Sequence, residues 1–116
     1  MAAPDVVANV SYLAQTTVMG NTTVYTPGSD GIFSVDVYID TSDSDMSHYV
    51  RADITYQDDV AVRTSWFGAG TNIDSPGTAS QTIMAIASSN IVVHTSTSGS
   101  TIANPYNLYI TVTQLA

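Results

Sequence analysis

From residue 6 onward the chain alternates apolar and polar residues with a period of two, broken at short intervals by glycine, proline and aspartate. Period two marks a strand with one face in a core, because successive side chains leave a pleated backbone on opposite sides. The clearest run is Ile32 to Ile39, where Phe33, Val35, Val37 and Ile39 share one face and Ser34, Asp36 and Tyr38 the other. Residues 48–56 repeat it with Val50, Ala52, Ile54 and Tyr56 inward. The closing run sets Tyr106, Leu108, Ile110 and Val112 against Asn107, Tyr109, Thr111 and Thr113. Further strands are predicted over 6–14, 79–87 and 91–95, and Gly20-Asn21 between two β-forming stretches reads as a hairpin turn. No segment carries a 3.6-residue period. About eight short antiparallel strands predict an all-β single domain, a sandwich or a barrel. It is expected to span residues 8–116 behind an N-terminal arm at 1–7.

The stretch from 50 to 66 also predicts a register. Val60, Val62, Thr64 and Trp66 form an apolar-leaning face that matches Val50 to Tyr56 when a three-residue loop, Gln57 to Asp59, joins the strands. Tyr56 then meets Val60, Ile54 meets Val62, and Asp53 stands opposite Arg63 as a surface ion pair. Trp66 is expected inward, and Phe67 either exposed or packed under the following loop.

Charge narrows the partners. The 116 residues hold ten acidic side chains, every one an aspartate, against two arginines and no lysine, for a net charge of −8. Such a chain cannot neutralise phosphates, so neither nucleic acid nor an anionic membrane is an expected partner. Cysteine is absent, which removes thiol redox chemistry and thiolate metal sites. Residues 1–5 have neither the basic nor the apolar region of a signal peptide, so synthesis in a cytoplasm is expected. No apolar run reaches the roughly 20 residues of a membrane-spanning helix.

Candidate chemistry is sparse. The loop Asp40-Thr41-Ser42-Asp43-Ser44-Asp45 offers several hard oxygens, making Asp40, Asp43 and Asp45 a weak calcium candidate. It lacks the glycine and the bidentate glutamate of an EF-hand, and a solvated acidic loop is the preferred reading. His48 and His94 are isolated. No G-x-S-x-G elbow supports a Ser-His-Asp triad, and solvent-side aspartates lack the surroundings a general acid needs. Neither catalysis nor a cofactor is expected. Tyr38, Tyr49 and Tyr109 fall on the outward phase of their strands, where Thr or Ser is the usual choice. Outward tyrosines bury area while keeping a polar tip, which suits a subunit interface. Val6 and Val7 of the arm are expected to add an extended apolar contact at a sheet edge.

The order of these pieces carries a resemblance. Tyr25-Thr26-Pro27 leading through Gly31-Ile32-Phe33-Ser34-Val35 is similar to the entry into a central strand in the tumour necrosis factor and complement globular-head superfamily. Tyr106-x-Leu108-x-Ile110-x-Val112 is similar to that family's closing strand. Where the family has Gly-Asp, this chain has Ala87-Ser88-Ser89-Asn90. The resemblance implies a jelly-roll β-sandwich and a homotrimer. The same string resembles small jelly-roll proteins of tailed viruses. That likeness implies a structural virion protein made in the host cytoplasm, a decoration or cement protein seated on the major capsid protein at the capsid surface. A receptor- or glycan-binding tip of a head fibre or tail fibre is the alternative it implies.

Overall fold

The computed structural model describes residues 4–41, 50–67, 76–97 and 105–116, which form eight strands and no helix. In chain order these are β1 (Asp5–Gln15), β2 (Thr22–Tyr25), β3 (Gly31–Thr41), β4 (Val50–Gln57), β5 (Val62–Phe67), β6 (Gly77–Ala85), β7 (Ile91–Thr97) and β8 (Tyr106–Gln114). They build two four-stranded antiparallel sheets, ordered β1-β8-β3-β6 and β2-β7-β4-β5. The pairings β4–β5, β3–β6, β2–β7 and β1–β8 are those of one long hairpin with its apex between β4 and β5. Rolling that hairpin up adds the β3–β8 and β4–β7 contacts and divides it into two facing sheets. This is the jelly-roll arrangement. The arm expected at 1–7 is shorter, because Asp5, Val6 and Val7 already belong to β1.

The period-two faces close on one another as their sequence requires. Phe33, Val35, Val37 and Ile39 of β3 and Leu108, Ile110 and Val112 of β8 are buried against Val50, Ala52 and Ile54 of β4 and Ile91 and Val93 of β7. Removing such faces from water is the main driving term for the fold, about 25 cal/mol for each Å² of apolar surface. Gly31 is required by close approach: a Cβ there would lie 2.9 Å from the carbonyl oxygen of Ala116. That carbonyl accepts the Ile32 N–H at 3.0 Å, and Leu115 N–H donates back to Ile32 O at 2.8 Å.

Polar atoms inside the roll are used as ties. Tyr106 is fully buried, and its hydroxyl donates to Thr17 O at 2.8 Å while lying 2.8 Å from Thr95 Oγ1. Met19 N–H donates to the same Thr95 oxygen at 2.7 Å. One short chain of hydrogen bonds therefore joins β8 of one sheet, β7 of the other and the connection between β1 and β2. Burial holds the Tyr106 phenol above its ordinary pKa, partly offset by the Thr95 contact.

Two expectations from the sequence are corrected. Gly20-Asn21 does not turn a hairpin: β1 and β2 lie in different sheets, so the segment crosses between them. The β4–β5 register also differs, pairing Gln57 with Val62, Tyr56 with Arg63, Thr55 with Thr64 and Asp53 with Trp66. The loop is thus four residues, 58–61. Asp58 selects it, because Asp58 Oδ1 accepts the N–H groups of Val60 and Ala61, each at 2.8 Å, while Asp58 N–H donates to Ala61 O at 3.0 Å. Aspartate side chains compete for nearby backbone donors in this way, and here the competition sets the turn. The apolar match was a misleading guide: Val60 and Val62 are 78% and 64% exposed.

Two outcomes follow. Tyr106→Phe should cost about 1 kcal/mol in urea unfolding, since it removes the phenol that ties the Thr95 hydroxyl to the Thr17 carbonyl. For Asp58, the Ala61 N–H, the Arg63 guanidinium and the Val60 N–H lower its pKa from 3.8 to about 2. A carboxylate depressed in the folded state stabilises above its unfolded value and loses that contribution as pH falls through the folded one. The melting-temperature advantage of the wild type over Asp58→Asn should therefore be full above pH 3.8 and fade on approach to pH 2.

Candidate functional site

The outer face of the β1-β8-β3-β6 sheet is the most distinctive surface of the molecule. Strand alternation places Tyr38 of β3 and Tyr109 of β8 outward, and the β3–β8 register sets them directly opposite one another. Their rings meet edge to face, with centroids 6.0 Å apart and planes at 61°, a geometry aromatic quadrupoles favour. They remain 40% and 37% exposed. Ser11 of β1 flanks Tyr109 and Thr78 of β6 flanks Tyr38, so one rung runs Ser11, Tyr109, Tyr38, Thr78. The next two rungs are Asn9, Thr111, Asp36, Ser80 and Val6, Thr113, Ser34, Thr82. Across these three rungs Asp36 is the one charged residue. The face is a sheet of hydroxyl and amide groups around an aromatic pair.

The remaining expected interface residues divide. Val6 is 58% exposed on this face, whereas Val7 is half-buried and packs against the core. Consecutive strand residues face opposite ways, and the β1 register shift between Val6 and Ala8 is what gives Val6 the outer side. Tyr49 lies outside the described residues, as do Asp43 and Asp45 of the calcium candidate. Asp40 belongs to β3, not to a loop, and its Oδ1 accepts the Asn107 side-chain amide at 2.8 Å. Asn107 Oδ1 in turn accepts Ala14 N–H at 2.8 Å, which holds the residue at φ 53° where β1 bends. Asp40 therefore serves a strand-to-strand tie. Among the described residues no group of three or more His, Cys, Asp or Glu side chains is placed to hold a metal ion.

The expected Asp53–Arg63 ion pair is replaced by two others. With the four-residue loop, Arg63 Nε reaches Asp58 Oδ2 at 2.7 Å, an exposed contact at the turn. Asp53 sits on the outward phase of β4, yet its side chain is only 7% exposed. The β4–β7 register puts His94 beside it, with Nε2 3.1 Å from Asp53 Oδ2, and Arg51 Nη2 lies 3.5 Å from the same oxygen. This cluster was partly readable: Arg51 and Asp53 are two apart on one strand and must share a face. His94 joins only through the β4–β7 pairing, which no local pattern reveals. The arrangement fits a structural role, since His94 Nδ1 is buried and one ring nitrogen already faces the carboxylate. A catalytic base needs a ring nitrogen open to substrate.

No family model and no curated protein matches the chain. Among solved structures, it is similar to a chain in the structure of infectious bursal disease virus Gx strain, at 17% identity and a TM-score of 0.42. That match covers 95% of this chain and 31% of the other, so this chain spans about a third of its length.

Asp53→Ala should destabilise the fold by about 2 kcal/mol in denaturant titration, because it withdraws a buried charge-assisted hydrogen bond from His94. Arg63→Ala, at the exposed turn, should cost well under half of that.

Proposed function

We propose that this chain is a structural virion protein: a homotrimer that seats on the major capsid protein and decorates the outer shell of a tailed virus. The observation that carries the reading is the Tyr38–Tyr109 pair, exposed on a hydroxyl-rich sheet face between the rungs of Asp36 and Asp40. Such a face suits the contact between protomers, which binds by area and shape, with tyrosines as rigid anchors that lose little conformational entropy. Two packed sheets without helices make a stiff body to carry it. Where each protomer contributes a modest contact, three linked contacts raise the effective affinity for a symmetric lattice. The aspartates elsewhere on the surface keep decorated particles mutually repelling.

Three described side chains with catalytic potential are each engaged by a neighbour, as a structural role requires. His94 is held by Asp53, Asp58 by its turn, and Asp40 by Asn107.

Light scattering of the purified chain should give a mass that is a multiple of three 12.2 kDa protomers, and Tyr38→Ser with Tyr109→Ser should abolish that factor of three while leaving the circular dichroism unchanged. The wild type should co-sediment with emptied shells, and the double variant should lose most of that binding. Adhesion to host cells with no uptake on shells would overturn the decoration reading in favour of a fibre tip.

A further inference from the structure

The edges of the two sheets are unequal, and one of them is open. β1 is bulged at two places and begins with Asp5; β2 has four residues; β5 carries Arg63. Bulges, brevity and charge are the usual devices that stop a sheet edge from pairing with another chain. β6 has none of them. It runs nine residues, Gly77–Ala85, without charge or proline, and its pairing with β3 continues without a register shift.

The hydrogen-bonding phase of that edge can be worked out. Ile32 exchanges hydrogen bonds with Leu115 and Ala116, on the β8 side, so even-numbered residues of β3 point their backbone groups towards β8. Odd-numbered residues of β3 point towards β6, and the register pairs them with Gly77, Ala79, Gln81, Ile83 and Ala85. The N–H and C=O groups of Thr78, Ser80, Thr82 and Met84 therefore face the open edge. Among the described residues no hydrogen bond reaches them.

We infer that β6 pairs antiparallel with β6 of a second copy of this chain, about a twofold axis at Gln81. Two features of the strand select that occupant. First, two chains of net charge −8 repel, and β6 is the long edge along which they can approach without bringing carboxylates or arginines into the seam. Second, the strand is self-complementary about Gln81. Ser80 meets the partner's Thr82 on the outer face, a favourable hydroxyl pair, and Ala79 meets the partner's Ile83 on the inner face, small against large. All four edge-facing residues then find edge-facing partners, giving about eight main-chain hydrogen bonds. The two β1-β8-β3-β6 sheets become one continuous sheet, with both tyrosine pairs on its outer surface. This contact uses an edge, not the tyrosine face, and does not rest on the shell-binding reading.

The absence of native cysteine makes the test direct. The axis sets Gln81 opposite its own copy at a non-hydrogen-bonded position, where Cα atoms lie about 4.5 Å apart, close enough for a disulfide. Gln81→Cys should oxidise in air to a covalent dimer about tenfold faster than Thr78→Cys, which the register sets opposite the partner's Met84. Adding Ser80→Pro, whose N–H faces the open edge, should abolish the Gln81→Cys cross-link without breaking the β3–β6 ladder. Should that variant fail to fold, Ser80→Lys keeps the backbone and should give the same loss. Equal rates at 78 and 81, or cross-linking unmoved by the proline or lysine, would overturn the inference.

Discussion

The roll depends on a carboxylate at its apex. Of the six strand pairings among the described residues, four lie along one hairpin folded between β4 and β5, and the phase of that hairpin is set where it turns. Asp58 gathers the N–H groups of Val60 and Ala61 and the Arg63 guanidinium, and so fixes a four-residue loop. A loop one residue shorter would turn every side chain of β5 to the opposite face of its sheet. The stabilisation from one exposed turn is modest, yet its structural leverage is large. It is a local electrostatic choice that a much larger hydrophobic sum then follows.

The strands were legible because their signal is local. Alternation over 31–41, 50–57 and 106–114 needs no partner to be read, and β6 and β7 fall within two residues of their predicted bounds. What the alternation could not carry was pairing. Val60 and Val62 look like core residues in a list of apolar positions and are exposed, because the capacity of Asp58 to accept backbone N–H groups outweighs two valines at an edge. Gly20-Asn21 has hairpin chemistry but lies where the chain passes from one sheet to the other. The same limit applies to the surface. The outward phase of Tyr38 and Tyr109 was plain, but their contact is a product of strand order, as is the meeting of Asp53 with His94.

The two outer faces have been put to different uses by the same pleat. On β4 and β7 the outward phase carries a close-packed ionic cluster, Arg51, Asp53 and His94, in which the carboxylate is almost wholly withdrawn from solvent. On β3 and β8 it carries tyrosine, threonine and serine left open to solvent. Acidity is therefore not a uniform coat. Several aspartates are structural, at 30, 40, 53 and 58, where they accept a backbone or side-chain donor. On the tyrosine face Asp36 and Asp40 stand one rung to either side of the aromatic pair.

The place of β8 has a consequence for how the chain reaches this state. It is the last of the eight strands in sequence, yet it lies inside its sheet, between β1 and β3. As the chain is synthesised, β1 and β3 are made early and have no mutual pairing to hold them, while the hairpin at β4 and β5 can close on its own. The sheet that bears the tyrosines is thus assembled late, by insertion of one strand between two that have waited for it. Loop closure over that span must be met before its hydrogen bonds form, which makes the step slow relative to local hairpin closure. Until it occurs, the apolar rows of β1 and β3 depend on whatever the ribosome or a chaperone offers to cover them.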